Sequence, residues 1–229
     1  MEFIPTEYAD KLHEDGLKPY TQYVRLRDNE LIWTITALSR EAKENVIEPI
    51  ANSGRKEIFL EHKDTSLKIL RQELRGITYR ELMNETFFGN CSRIVTLSFL
   101  TPTAFKVNGK YQFHPTVEHV MSSLIRKHDS ISQGTEIYSE ELMKQISEDV
   151  NIIGYKLQSI NFHLEGVKIP SFIGSITIRI GGQQQFVNLI NMVCAIGEYS
   201  GVGIKTAIGM GALSAEQKRK GRKIEREAN

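Results

Sequence analysis

The apolar positions of this chain fall into alternating and helical rhythms that switch several times. Ile4 to Glu14 reads as a short helix, with Pro5 near its first turn and Gly16 placed to stop it. Two β-rich runs follow, Tyr20 to Arg27 and Leu31 to Leu38, and Asp28-Asn29-Glu30 between them predicts a hairpin. Ser39 can cap a helix running to about Ala51, before the Asn52-Ser53-Gly54 turn. Lys56 to His62 and Leu67 to Leu74 then read as strands, the first alternating apolar Ile58 and Leu60 with charged neighbours.

A second series begins near Cys91. Arg93 to Leu100 is a strand, and Pro115 opens a helix to about His128. Val117, Val120, Met121, Leu124 and Ile125 form that helix's apolar stripe. A helix around Ser139 to Val150 reads as an insertion. Strands at Lys156 to Leu164 and Ile173 to Ile180 precede a helix at Gln183 to Ile196, which carries Phe186, Leu189, Ile190, Val193 and Ile196 on one face. As symbols, this half is β-α-β-β-α-β with one added helix, the ferredoxin-like order. The first half is α-β-β-α-β, the same order without its opening strand. The expected fold is therefore α+β, two ferredoxin-like (RRM-like) domains in tandem. Residues 1–90 would form the first, 91–213 the second, and 214–229 a charged tail.

Composition narrows the picture without naming an activity. With 229 residues the chain has room for one large or two small domains. A net charge of +1 does not announce a nucleic-acid binder, so any such role must rest on local clusters. Cys91 and Cys194 are far apart and in no CxxC pair, which argues against a disulfide framework and a thiolate zinc site and favours a reducing cytoplasm. No basic segment leads into an apolar run, and no stretch approaches the roughly 20 apolar residues a bilayer requires. No cofactor, metal or membrane partner is expected, since no His/Asp/Glu group has ligand spacing.

The glycine-rich segment 198–211 carries the strongest chemical signal. Gly201, Gly203, Gly209 and Gly211 surround Lys205. Glycine permits positive φ and close approach of backbone N–H groups to an anion, and a lysine adds a point charge, so phosphate is the natural ligand. Glycines that merely allow close chain packing are the competing reading. The spacing is neither a Walker loop nor a dinucleotide fingerprint.

Three segments in consistent order resemble the repeat-processing endoribonucleases of CRISPR systems, the sixth Cas protein family. Gly201-Val202-Gly203-Ile204-Lys205-Thr206-Ala207-Ile208-Gly209-Met210-Gly211 looks like that family's C-terminal glycine signature. Leu12-His13-Glu14-Asp15-Gly16-Leu17-Lys18-Pro19-Tyr20 is similar to its first-helix motif. Thr101-Pro102-Thr103-Ala104-Phe105, followed by Phe113-His114-Pro115, is similar to its central Thr-Pro segment. Family members carry a strand before the first helix, so the first domain here is expected to lack one and to expose a sheet edge. The resemblance implies metal-independent cleavage of precursor CRISPR RNA within repeats, by attack of a ribose 2′-hydroxyl on the adjacent phosphorus. The products would be a 2′,3′-cyclic phosphate and a 5′-hydroxyl. It leaves open a non-catalytic guide-RNA-binding subunit and an inactive truncated nuclease, with a homodimer or other Cas proteins as further partners.

In this chemistry the nucleophile belongs to the substrate, so the protein must align atoms, move protons and stabilise phosphorane charge. Of six histidines, His13 matches the family's acid/base position and stands at a helix end, where a cation is favoured. Lys18 matches a nearby lysine that stabilises phosphorane charge in some relatives; a solvated lysine before a proline is its plainer account. The expected RNA contacts are Gly201, Gly203, Lys205, Thr206, Gly209 and Gly211, with Arg126 and Lys127 at a basic helix end. His128 beside them reads as a surface residue, and the basic excess of the tail suits a phosphate backbone.

Overall fold

The computed structural model describes residues 4–14, 16–132 and 134–218, and the side chains of Thr6, His13, Glu14 and His62 lie outside that description. The basic tail beyond Lys218, expected to favour RNA, also lies outside the described residues.

The second half is built on β5 (Ile94–Thr103), β8 (Val150–Leu164), β9 (Val167–Ile180) and β10 (Leu213–Gln217), hydrogen-bonded in the order β10-β5-β9-β8. Every pairing is antiparallel. This is the ferredoxin-like strand order, with α4 (Val117–Ile131) and α6 (Gln184–Ser200) as the two crossovers on one face. The cause is legible along β5, where Val95, Leu97 and Phe99 alternate inward with half-exposed polar residues between them. They meet Val120, Met121, Leu124 and Ile125 of α4 and Val187, Ile190 and Val193 of α6 in one core. Each such side chain removed from water contributes about 1.5–3 kcal/mol. The helices close tightly at Gly197, where an added Cβ would sit 2.7 Å from Leu124 and 2.8 Å from Leu213. The expected inserted helix is α5 (Glu140–Asp149), capped by Ser139, and β8 starts directly at its end rather than at residue 156. A small hairpin, β6 (Phe105–Val107) with β7 (Lys110–Gln112), leads into α4.

In the first half, α1 (Thr6–Glu14) precedes the hairpin of β1 (Tyr20–Arg27) and β2 (Glu30–Ala37). Asp28 and Asn29, at φ 50° and 65°, form its two-residue turn, one residue shorter than the sequence suggests. Positive φ at both central residues matches the right-handed twist of the paired strands. The helix over 40–51, α2, starts at the Ser39 cap but takes a π turn at Lys43–Ile47 before Pro49, whose ring nitrogen has no proton for the helical ladder. The next two strands are short and pair with each other: β3 (Glu57–Leu60) and β4 (Thr65–Lys68). The expected strand to Leu74 stops at Lys68, since Leu70 and Leu74 stay exposed with no strand to cover them. Then α3 (Tyr79–Glu85), which periodicity did not predict, opens with a capping box between Thr78 and Glu81 and sends Leu82 into the main core. Among the described residues no third strand pairs with β1 or β2.

Asn188 of α6 fixes the connector between the halves. Its Nδ2 donates to the carbonyls of Phe87 (2.9 Å) and Gly89 (2.6 Å), while its Oδ1 accepts from Cys91 N. No helix of the described residues is long and apolar enough to cross a membrane.

Candidate active site and RNA interface

The two sequence signals that matter most, the first-helix motif and the glycine segment, converge on one small core. Tyr8 and Leu12 of α1, Tyr20 of β1 and Val46 of α2 bury themselves together with Ala207 from the glycine segment. Hydrogen bonds hold the same junction. Gln22 donates from Nε2 to the Ala207 carbonyl at 2.8 Å and is itself held by Trp33 Nε1 at 3.0 Å. Thr21 donates to the carbonyl of Tyr199 at 2.9 Å. His13 stands in the last turn of α1, beside Leu12, and its side chain falls outside the described residues. Lys18 is half-buried and donates from Nζ to the Leu12 carbonyl at the open end of that helix. It therefore caps α1 rather than hanging in solvent, and its charge sits at the negative pole of the helix. A cleft lined by Tyr8, Lys11, Gly16, Leu17, Ser39 and Ser130 opens beside this turn. Tyr8 and Tyr20 are core residues, and burial raises the Tyr20 phenol above its usual range.

The glycine segment is more internally bonded than a phosphate cradle would be. Gly201 N donates to Gly197 O, Val202 N to Gly211 O, Ile204 N to Ala104 O and Gly211 N to Pro102 O, all within 2.8–3.0 Å. Gly203 N donates to Ser123 Oγ at 2.8 Å, and Ala212 N to Thr101 Oγ1 at 3.0 Å. The central Thr-Pro segment is thus the floor on which the glycine segment lies. Gly203 and Gly211 are required sterically, because an added Cβ would lie 2.3 Å from Ala104 O and 2.0 Å from Val202 O. The expectation that the amides of Gly201, Gly203 and Gly211 face a ligand is therefore corrected: those amides are engaged inside the protein. What remains outward is Lys205, Ile208 and half-exposed Gly209, on either side of the buried Ala207 of a single 3₁₀ turn, Thr206–Ile208. Lys205 is exposed in the left-handed region, at φ 57°, and Gly209 has open space around it at φ 106°.

The basic end of α4 divides. Arg126 is exposed and lies over the Tyr138 ring, 5.8 Å from its centroid. Lys127 was expected beside it as an RNA contact, yet it is 5% exposed and points inward. Its ammonium donates to the Ser200 carbonyl at 2.8 Å and to Thr206 Oγ1 at 3.0 Å. Burial pulls its pKa down to about 7, while the two acceptors favour the charged form. His128, expected at the surface, is fully buried between Tyr79 Oη (2.8 Å) and Asp129 Oδ1 (2.7 Å). Asp129 also accepts from the amides of Ile137 and Tyr138, which ties down the segment before α5. One turn of helix thus spends its polar groups on internal ties. Periodicity could have suggested it, because 120, 121, 124, 125 and 128 share one face. Gln22 and Ser123 gave no signal in the sequence. Cys194 is no nucleophile, as burial and then Glu198 push its thiol up to about 12.

The ferredoxin-like second half, with its glycine segment packed against the first half at Ala207, has counterparts among known proteins. The family model described as CRISPR-associated endoribonuclease Cas6 matches residues 97–213. The CRISPR-associated endoribonuclease Cas6 of Mycobacterium tuberculosis is 30% identical over 217 residues, covering 94% of this chain and 69% of that protein. Its counterpart from Streptococcus thermophilus is 28% identical over 225 residues, covering 96% and 89%. Among solved structures, a Cas6 product complex superposes with a TM-score of 0.77 at 22% identity, covering 93% of this chain and 88% of that one. A Cas6 substrate mimic complex gives 0.72 at 19% identity, covering 92% and 90%. The chain belongs to the CRISPR-associated endoribonuclease Cas6 family.

Proposed function

We propose that this protein cleaves precursor CRISPR RNA within its repeats, without a metal ion, by attack of a 2′-hydroxyl on the neighbouring phosphorus. The observation that carries the reading is the shared core of Tyr8, Leu12, Tyr20 and Ala207, which brings the His13 turn of α1 and the outward arc of the glycine segment to one place. In this scheme the first half, residues 1–90, supplies proton transfer and the second, 91–213, supplies the phosphate contacts. His13 moves a proton at the 2′-oxygen or at the leaving 5′-oxygen, a role that typically contributes roughly 10²–10⁴-fold. Lys18, placed at the end of α1, lends positive charge to the phosphorane. Lys205 and Gly209 lie along the backbone of the RNA, with Arg126 farther out on α4, while Thr206, also expected as an RNA contact, turns its hydroxyl inward to Lys127. Repeat RNA is the partner, and the proposed setting is the cytoplasm, in keeping with two cysteines that form no disulfide.

The test incubates the purified protein with its genomic repeat RNA in EDTA, beside His13→Ala and beside a substrate with a 2′-deoxy sugar at the mapped cut. Cleavage that persists in EDTA and drops by at least 10²-fold with either change is expected. Tight binding with no cut by the unmodified protein would replace this reading with a guide-RNA-binding one.

A further inference from the structure

Lys127 is the residue whose placement the cleavage reading does not use. It is a primary amine buried in the second half, and both of its partners belong to the glycine segment. The Ser200 carbonyl is at the C-terminal end of α6, where a helix leaves carbonyls without internal partners and carries negative potential. Thr206 Oγ1 opens the 3₁₀ turn at the tip of the segment. One nitrogen thus ties together the two ends of the excursion 200–206. Thr206 is also the plug of that excursion: its methyl lies 2.9 Å from where a Cβ on Gly201 or Gly211 would be. The next residue, Ala207, is the one that packs against Leu12 and Tyr20 and accepts from Gln22.

We infer that Lys127 is a positioning residue for cleavage, a strut from α4 that sets the glycine-segment tip against the His13 helix through Thr206 and Ala207. The inference rests on the proposed cleavage reading. Lys127 touches no substrate, since it is almost wholly enclosed. Its two donors act on geometry, and either protonation state of the amine supplies two N–H groups. Misplacement of a reacting group by about 1 Å costs on the order of 10²-fold in rate. Loss of the strut should therefore slow the chemical step while most RNA contacts, which lie on exposed residues, are kept.

The experiment measures single-turnover cleavage of the repeat RNA at saturating enzyme, together with Kd, for Lys127→Met, Thr206→Val, Thr206→Ser and the Lys127→Met/Thr206→Val double variant. Melting curves confirm that each is folded at the assay temperature. The expected result is a rate loss of roughly 10–100-fold for Lys127→Met and Thr206→Val, with Kd within about threefold of the unmodified protein. The double variant should be no slower than the slower single, and Thr206→Ser, which keeps the hydroxyl, should recover most of the rate. A folded Thr206→Val or Lys127→Met enzyme that cuts at the unmodified rate overturns the strut. So do losses that multiply in the double variant, or Thr206→Ser as slow as Thr206→Val. If the unmodified protein does not cut, the cleavage reading fails instead. The strut is then judged by amide hydrogen exchange over 201–211, which must rise in both single variants, and an unchanged pattern rejects it.

Discussion

Lys127 makes the sharpest claim that can be checked at a single residue. In the folded protein burial holds its pKa near 7, against 10.5 for a lysine in water. Between those values the unfolded chain binds a proton that the folded chain has released, so stability rises with pH across that interval. Below pH 7 both states carry the proton and the penalty is full; above about 10.5 neither does, and the penalty is gone. Urea denaturation at pH 7, 8 and 9 should show stability rising more steeply with pH in the unmodified protein than in Lys127→Met, by a slope approaching one proton. Equal slopes would mean that the ammonium is not destabilised where it sits. This residue also marks a limit of reading side chains from a string. Arg-Lys-His at a helix end looks like a basic surface, and in three dimensions only Arg126 stays there while Lys127 and His128 turn inward. A charge run says nothing about which face of the helix each residue occupies, and the apolar stripe beside it says a good deal. At the glycines the close-packing reading accounts for part of the segment. Gly203 and Gly211 admit backbone that a Cβ would strike, whereas Gly209 has open space around it.

At the scale of elements, legibility followed the strength of local pattern. The stripes of α4 and α6, the cap of α5 and the β1–β2 hairpin all have periods that only one secondary structure satisfies, and each was found within a few residues. The segment from Lys56 to Glu85 was harder. Its β4 strand has four residues, and the apolar Leu70 and Leu74 that lengthen the expected strand have no neighbour to bury them. α3 has seven residues and one buried apolar side chain, too few for a periodic signal. Its start was nevertheless written in the sequence as Thr78-x-x-Glu81, a reciprocal cap in which Glu81 accepts from Thr78 N at 2.8 Å. Hydrogen bonding by Thr78 pulls the Glu81 carboxyl below its usual pKa. Replacing Thr78 by Ala should destabilise the protein by about 1 kcal/mol, and replacement by Ser by much less. Equilibrium denaturation measures both, and an unchanged midpoint for Thr78→Ala would show that α3 is held by Leu82 alone.

Across the whole molecule, a net charge of +1 and a local basic arc make a joint statement about how RNA would be bound. A protein that neutralises many phosphates loses affinity steeply as salt rises, because each contact releases counterions. A net charge this close to zero gives little long-range attraction for a polyanion. Among the described residues the outward cations near the site include Lys205 on the arc, Lys11 at the cleft, which pairs with Glu41, and Arg126 over Tyr138. Most of the segment's amides are already engaged with Pro102, Ala104, Ser123 and Gly211, so they add rigidity rather than charge neutralisation. The expected dependence of log Kd on log salt for repeat RNA is therefore shallow, with a slope of only a few units, at about 0.7 per phosphate contact on a single strand. Lys205→Met should reduce that slope by about 0.7 and weaken binding at low salt, with little effect near 0.5 M. Lys127→Met, which removes an enclosed cation, should leave the slope where it was. Fluorescence anisotropy over a salt series separates the two, and the difference tests the molecule as a whole. If Lys127 shifts the slope as much as Lys205, the α4 end opens toward RNA and the closed junction between the halves is not the state that binds.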